Sequence, residues 1–218
     1  MAVIEIDKLT KDYGNKKGIF DVSFSVNRGE VVGFLGSNGA GKTTTIRHLM
    51  GFISPQKGRA QILDMDCFCN ASCVQEQVGY LPGEIAFMDN MSGKEFIEFM
   101  AKMKKIKNLT YARELTEYLE IDTRVKIKKM SKGMKQKIGL IIAFMQNAPI
   151  LILDEPTTGL DPIMQNKFVE LIKREKASGK TILMSSHIFE EVENTCDRIV
   201  MIKDGKIVAD KNIEDRKS

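Results

Sequence analysis

The stretch GSNGAGKTT, Gly36 to Thr44, places three glycines, a lysine and two threonines at a spacing suited to holding a phosphate chain. Gly36, Gly39 and Gly41 let the backbone wrap phosphate oxygens without Cβ clashes. Ser37, Asn38, Ala40 and Thr44 complete the stretch, whose N–H groups, with the helix start expected after it, neutralise those oxygens. Lys42 is the residue that reaches the β- and γ-phosphates, and Thr43 offers a hydroxyl to Mg²⁺. A second group stands in LILDEP, where four apolar residues lead to Asp154 and Glu155. At a strand end two adjacent carboxylates point apart and can divide the work. Asp154 holds Mg²⁺ through water, and Glu155 polarises an attacking water as general base. His187 follows TILMSS and projects at the carboxyl edge of a sheet, where open α/β sheets bind ligands. His48, inside the helix after the glycine stretch, reads as structural.

These groups need elements that bring them together. AVIEIDKL, IFDVSFSV and EVVGFL read as strands. In the second, Val22, Phe24 and Val26 alternate with Ser23 and Ser25, as a half-buried strand does. The third is a continuous apolar run, which fits a central buried strand. The helix KTTTIRHLMGF and the strand GRAQIL follow. From PILILDEP onward strands and helices alternate. A helix starts at Pro162, a residue suited to a first turn; then come the strand KTILMSS, a helix in IFEEVENTC, and a hairpin about Asp204-Gly205. Residues 92–147 between them are helical and Met-rich. SGKEFIEFMAKMKK opens on a capping box, Ser92 with Glu95. Phe96, Phe99, Met100 and Met103 then make an i, i+3, i+4, i+7 stripe, expected in the core or at a lobe interface. A second helix is expected over 110–120 and a third from near Ser131. The fold class expected is α/β. It is a P-loop nucleotide hydrolase with a mostly parallel core sheet, an N-terminal antiparallel β region and an inserted helical lobe over about 85–147, in one domain of residues 1–218. The charged tail EDRKS reads as frayed.

Composition narrows the classes. The 218 residues, 43% hydrophobic and 28% charged, suffice for a sizeable core. No apolar run reaches the roughly 18 residues of a membrane span. MAVIEIDKLTKDYG lacks the charged start and apolar centre of a signal peptide, so a cytosolic location is the default expectation. Cys67, Cys69, Cys73 and Cys196 are too few for a disulfide scaffold. They lack the paired spacing and nearby His of a zinc site, so they read as reduced thiols. The net charge is +4, yet residues 102–137 carry 12 Lys+Arg against 4 Asp+Glu. That block reads as a solvated helical face rather than a nucleic-acid surface.

One part of the block stands out. KKMSKGMKQKIG puts Ser131-Lys132-Gly133 at a helix start, whose unpaired N–H groups suit anions, and crowds it with lysines. A phosphate site and a solvated basic face both fit that pattern. The glycine stretch and the Asp-Glu pair alone leave small GTPases, helicases, kinases and transport ATPases open, and no Asn-Lys-x-Asp stretch marks guanine selectivity. With GSNGAGKTT, MSKGMKQK, LILDEPTTGLD and SSH in that order, the chain resembles the nucleotide-binding domain of ABC transporters from about Val3 to Ala209.

The resemblance implies roles for further residues. Tyr13, in KDYG, would stack on adenine. Ser131, Lys132 and Gly133 would belong to the signature, usually Leu-Ser-Gly-Gly-Gln, from which Met130, Lys132 and Met134 depart. That helix start would cap the γ-phosphate held by another protomer. Lys132 is expected to strengthen ATP-driven closure of the pair. Asp161, ending TTGLD, would be the D-loop aspartate, and His187 the switch histidine on the γ-phosphate. GYLPGE, Gly79 to Glu84, lies where the family carries a Gln on Mg²⁺. Gly83 or Glu84 stands in its place here, and Glu84 is the expected substitute ligand.

The resemblance also implies ATP and Mg²⁺ as cofactors and ATP hydrolysis as the reaction. It implies a homodimer or heterodimer of nucleotide-binding domains, separate transmembrane permease subunits, a place on the cytoplasmic face of the cell membrane, and no nucleic-acid partner. The GYLPGE and SKGMKQK variants look like those of bacterial exporters with type-2 permeases. Gly79 to Met103 is then expected to face the permease, and Phe87, Met88 and Met91 either seat its coupling helix or belong to the core of the lobe. The rival is a non-transport ABC ATPase acting on ribosomes or nucleic acid, which only the basic block favours. An isolated P-loop kinase or GTPase stands third; the signature, Asp161 and His187 count against it.

Overall fold

The computed structural model describes residues 1–213, so the EDRKS tail lies outside the described residues. β1 (Ala2–Asp12) and β2 (Gly18–Asn27) pair antiparallel, with Ile6 opposite Phe24 and Leu9 opposite Val22. The alternation in β2 has a physical outcome: Val22, Phe24 and Val26 are buried and Ser23 is exposed. β4 (Lys57–Ile62) joins the other side of β1, and β5 (Met65–Asp66) joins β4, to complete a four-stranded antiparallel sheet.

The second sheet has six strands in the order β10-β9-β3-β8-β7-β6. They are β3 (Val31–Leu35), β6 (Val78–Leu81), β7 (Ile150–Asp154), β8 (Thr181–Ser186), β9 (Arg198–Lys203) and β10 (Lys206–Asn212). β10 pairs antiparallel with β9 through the Asp204-Gly205 turn, and the remaining pairings are parallel. Both turn residues have positive φ, 49° and 75°, as a two-residue hairpin loop with the right twist requires. Parallel strands need crossovers, and helices supply them on both faces. That is why β7 and β8 are buried at every residue. Each Ile or Leu taken fully from water contributes roughly 1.5–3 kcal/mol, so these strands are a stiff platform.

The helices are α1 (Lys42–Leu49), α2 (Ala71–Glu76), α3 (Gly93–Met103), α4 (Thr110–Tyr118), α5 (Lys132–Phe144), α6 (Pro162–Ala177) and α7 (Phe189–Glu193). The capping box at α3 is formed: Ser92 N–H donates to Glu95 Oε2 at 2.6 Å, and Glu95 N–H to Ser92 Oγ at 3.3 Å. The apolar stripe of α3 packs as expected except at its last residue. Phe96 is buried and Phe99 and Met100 are half-buried, but Met103 is 66% exposed. Ile97 and Ala101 are buried in its stead, because the helix ends at Met103 and the chain turns off at Lys105 with φ 57°. α4 is tied to α6 by polar contacts. The Tyr111 hydroxyl donates to Glu175, Tyr118 Oη donates to the Lys167 carbonyl at 2.8 Å, and Arg174 lies over both tyrosine rings. Buried residues of α3, α4 and α5 share one core with α6 and with β3, β6, β7 and β8.

Register places the chemistry. Leu35 lies opposite Ser186, and Asp154 opposite Ser185. Gly36, Glu155 and His187 therefore leave the sheet side by side at its carboxyl edge.

Candidate functional site

The glycine stretch leaves β3 and turns into α1. Gly36 is pressed against β9: a Cβ there would stand 2.5 Å from the Ile202 carbonyl oxygen. Gly41 caps α1 at φ 115°, a left-handed conformation, with no side chain bonded to the first-turn N–H groups. That leaves them open to an anion. Ala40 is buried behind the loop, whereas Ser37, Asn38 and Gly39 are exposed. Lys42 is folded back into its own loop. Its side chain is buried, its amine donates to Gly36 O at 2.6 Å and Ser37 O at 3.2 Å, and it lies 3.1 Å from Glu155 Oε1.

The two carboxylates at the end of β7 diverge. Asp154 is fully buried; Oδ2 accepts from Thr43 Oγ1 at 2.8 Å, and Oδ1 accepts from the Ser185 hydroxyl. Glu155 sits at φ 50°. A non-glycine residue held there costs about 1–3 kcal/mol and persists only where neighbours over-determine it. Its N–H donates to Ser185 Oγ at 3.0 Å, and its carboxylate lies between Lys42 and His187 Nδ1, the latter at 2.7 Å. The Ser185 hydroxyl thus fixes both residues, whose carboxylates point apart. Tyr13, Lys17 and Gly18 join the loop residues, Thr43, Thr44 and Glu155 in lining an open cleft of about 450 Å³. The Tyr13 ring is half exposed in it.

Ser131, Lys132, Gly133 and Asp161 do not line that cleft. Ser131 caps α5, accepting from Met134 N–H at 3.2 Å, and Asp161 caps α6, accepting from Met164 N–H at 3.0 Å. The start of α5 packs on the loop after Glu155: a Cβ on Gly133 would lie 2.6 Å from the Gly159 carbonyl oxygen. Further along α5, Gln136 Nε2 donates to Pro156 O at 2.9 Å and Glu155 O at 3.3 Å. The far helix start is therefore mechanically joined to the Glu155 segment without lining the same cleft.

Glu84 is exposed, and the position beside Asp154 belongs to Gly83, whose Cβ would stand 3.1 Å from Asp154 Oδ2. The chain runs out of β6 along that acid one residue before Glu84, and no side chain occupies the spot. Phe87 and Met91 pack against the core, leaving Met88 exposed. Four contributors escape sequence reading. Lys17 and Gly18 carry no motif, and Ser185 and Gln136 gain their roles only through pairing with β7 and its exit. The doubled serine before His187 is the one signal that pointed at Ser185. Cys67 is buried, which with the neighbouring Asp66 charge pushes its thiol up to about 12, so it behaves as core. Among the described residues no cluster of His, Cys, Asp and Glu has the makings of a metal cage.

A strand, a glycine loop with a buried lysine, and a second strand ending in divergent acids define a P-loop nucleotide hydrolase. The ABC transporter family model matches residues 19–158. The bacitracin transport ATP-binding protein BcrA of Bacillus licheniformis is 37% identical over 210 residues, covering 95% of this chain and 69% of that protein. The linearmycin resistance ATP-binding protein LnrL of Bacillus subtilis (strain 168) is 34% identical, covering 95% of this chain and 68% of that one. A solved ATP-binding subunit of an ABC transporter superposes with a TM-score of 0.88 at 30% identity, covering 98% of this chain and 91% of its own. The fold is also that of a dimeric ATP-binding cassette solved with ADP and Pi, at a TM-score of 0.85 and 21% identity, over 96% of this chain and 98% of that one. This chain belongs to the ABC transporter family; it is an ATP-binding, ATP-hydrolysing subunit of that family.

Proposed function

We propose that the chain powers an exporter, working as a dimer of nucleotide-binding domains docked on separate permease subunits at the cytoplasmic face of the cell membrane. The observation that carries this reading is Glu155 held between Lys42 and His187 beside an open helix start, while the second helix start, at Ser131, lies away from that cleft. One chain then holds two half-sites, and a partner's Ser131-Lys132-Gly133 would complete each. Homodimer and heterodimer both satisfy this requirement. Residues 1–218 act as one unit, with the helices of 85–147 as its inserted lobe. The exporter class rests on the resistance and transport names of the relatives. Among the described residues no helix is long and apolar enough to cross a membrane, which is consistent with separate permease subunits. The groove lined by Phe52, Tyr80, Ile85, Met100 and Lys104 would seat the permease.

Chemistry follows from the contacts. Tyr13 stacks on adenine at the cleft mouth. Lys42 exchanges the Gly36 and Ser37 carbonyls and Glu155 for the β- and γ-phosphates, which releases Glu155 to orient water and take its proton. His187, held on Glu155, stands where the γ-phosphate ends. Asp161 and the Ser131 helix start act across the dimer. Mg²⁺ fits at Thr43 and Asp154, two hard oxygen donors 2.8 Å apart with no side chain at Gly83 to crowd them. When bound, it neutralises and orients the phosphates.

Affinity isolation of Glu155→Gln from detergent-solubilised membranes tests the proposal, since removing the general base is expected to slow hydrolysis and leave ATP binding in place. A stoichiometric polytopic membrane protein is the expected companion. Ribosomes or nucleic acid in its place would overturn the transport reading and make the lysine-rich block the binding surface.

A further inference from the structure

Glu155 and His187 leave different strands, and a single side chain outside the cleft bonds to both exits. Two residues beyond Glu155, the buried Thr157 donates its hydroxyl to Glu191 Oε1 at 2.8 Å. One residue before His187, the fully buried Ser186 donates its hydroxyl to Glu191 Oε2 at 2.7 Å. Ser186 Oγ also accepts from Ile188 N–H at 3.0 Å, so the same hydroxyl pins the backbone on both sides of His187. Glu191 is itself anchored, because Thr195 Oγ1 donates to its carbonyl at 2.6 Å. Both carboxylate oxygens are thus used, one on each segment that carries a reacting side chain.

We propose that Glu191 is a positioning residue for ATP hydrolysis: it clamps the Thr157 and Ser186 segments together and so holds His187 on Glu155. The proposal rests on the reading of Glu155 and His187 given above. Its logic is geometric. Small displacements of groups that must meet in the transition state are expensive, since an error of about 1 Å costs on the order of a hundredfold in rate. Glu191 lies outside the cleft, so ATP binding has no need of it. Glu191 also stands in the first turn of the short α7, where a carboxylate stabilises the helix start. That purely structural role predicts a different outcome.

The test is a kinetic cycle of wild type, Glu191→Ala, His187→Ala and the double variant. Glu191→Ala is expected to lower kcat by about tenfold or more while KM for ATP stays within about twofold. In the double variant Glu191→Ala should add almost nothing to the loss from His187→Ala, because residues acting as one unit are non-additive. Glu191→Gln keeps one acceptor oxygen and should fall between wild type and Glu191→Ala. Multiplicative losses in the double variant, or an unchanged kcat, would overturn the clamp and leave the roles of Glu155 and His187 intact. Full turnover in His187→Ala would instead overturn the site reading and the clamp with it. Should Glu191→Ala fold poorly, Thr157→Val and Ser186→Ala each remove one arm and enter the same cycle. A second readout uses the fact that the chain has 2 His, so ¹⁵N-histidine labelling gives two rings. The His187 Nδ1 resonance should move in Glu191→Ala and in both arm variants; an unmoved resonance in all three overturns the proposal.

Discussion

Helices α1 and α5 begin alike and end up opposite. Each has a lysine as its first residue, Lys42 and Lys132, and neither has an acid in its first turn. In α1 the cap is a glycine with no side-chain bond, and Lys42 is buried among carbonyls and Glu155. In α5 the cap is Ser131, which satisfies Met134 N–H, and Lys132 is exposed. The first helix start is unfinished, so a phosphate chain is its natural cap. The second is already capped and faces outward. The difference teaches that equal local sequence cues, a helix start with a lysine, acquire different chemistry from whether the sheet closes around them.

Lys42→Ala breaks the comparison on its α1 side. It removes the buried cation of the cleft, and ATP hydrolysis should fall by about a hundredfold or more, the scale of losing a preorganised electrostatic donor. Phosphate release and nucleotide binding by the isolated chain both report it. Ser131→Ala acts on the α5 side only. It should leave nucleotide affinity of the monomer unchanged, lower stability by about 1 kcal/mol through the lost cap, and reduce ATP-driven dimer formation in a Glu155→Gln background. Light scattering with and without ATP separates those effects. Lys132→Gly sharpens the same side with a smaller change. The ATP concentration needed for dimer formation should rise several-fold, and unchanged ATP affinity and turnover would sink the assigned role.

The smallest expected effect concerns the buried side of α1. His48 is buried, with Nδ1 donating to Thr44 O at 2.8 Å, and burial holds its pKa below 6.5. Between that lowered value and 6.5 the unfolded chain binds a proton that the folded chain refuses, so stability rises with pH there. Its contribution is present above 6.5 and is lost as pH falls toward the lowered value. Calorimetric Tm should therefore drop more steeply with acid in wild type than in His48→Asn.

Much of this was legible in the chain. The alternation in β2, the apolar runs of β3 and β7, the capping box at Ser92 and the order of the motifs come from local periodicity and short-range steric rules. What escaped was long-range. The α3 stripe departs from its periodicity only at Met103, which lies past the end of the core. That Gly83 abuts Asp154 is not announced by any pattern, because a glycine advertises no chemistry. Ser185 and Gln136 lie inside recognised stretches that say nothing of these contacts, and Glu191 lies in none; strand pairing and loop packing supply their partners.

By itself, then, the order of residues determined the phosphate loop, the acid pair, the histidine and the class of fold, since each depends on neighbours within a few positions. Only the tertiary structure decided that Glu155 meets both Lys42 and His187, that Gly83 abuts Asp154, and that Ser131 stands away from its own chain's cleft. Those facts depend on parallel register between strands far apart in sequence, and on burial, which converts a flexible lysine or serine into a fixed donor.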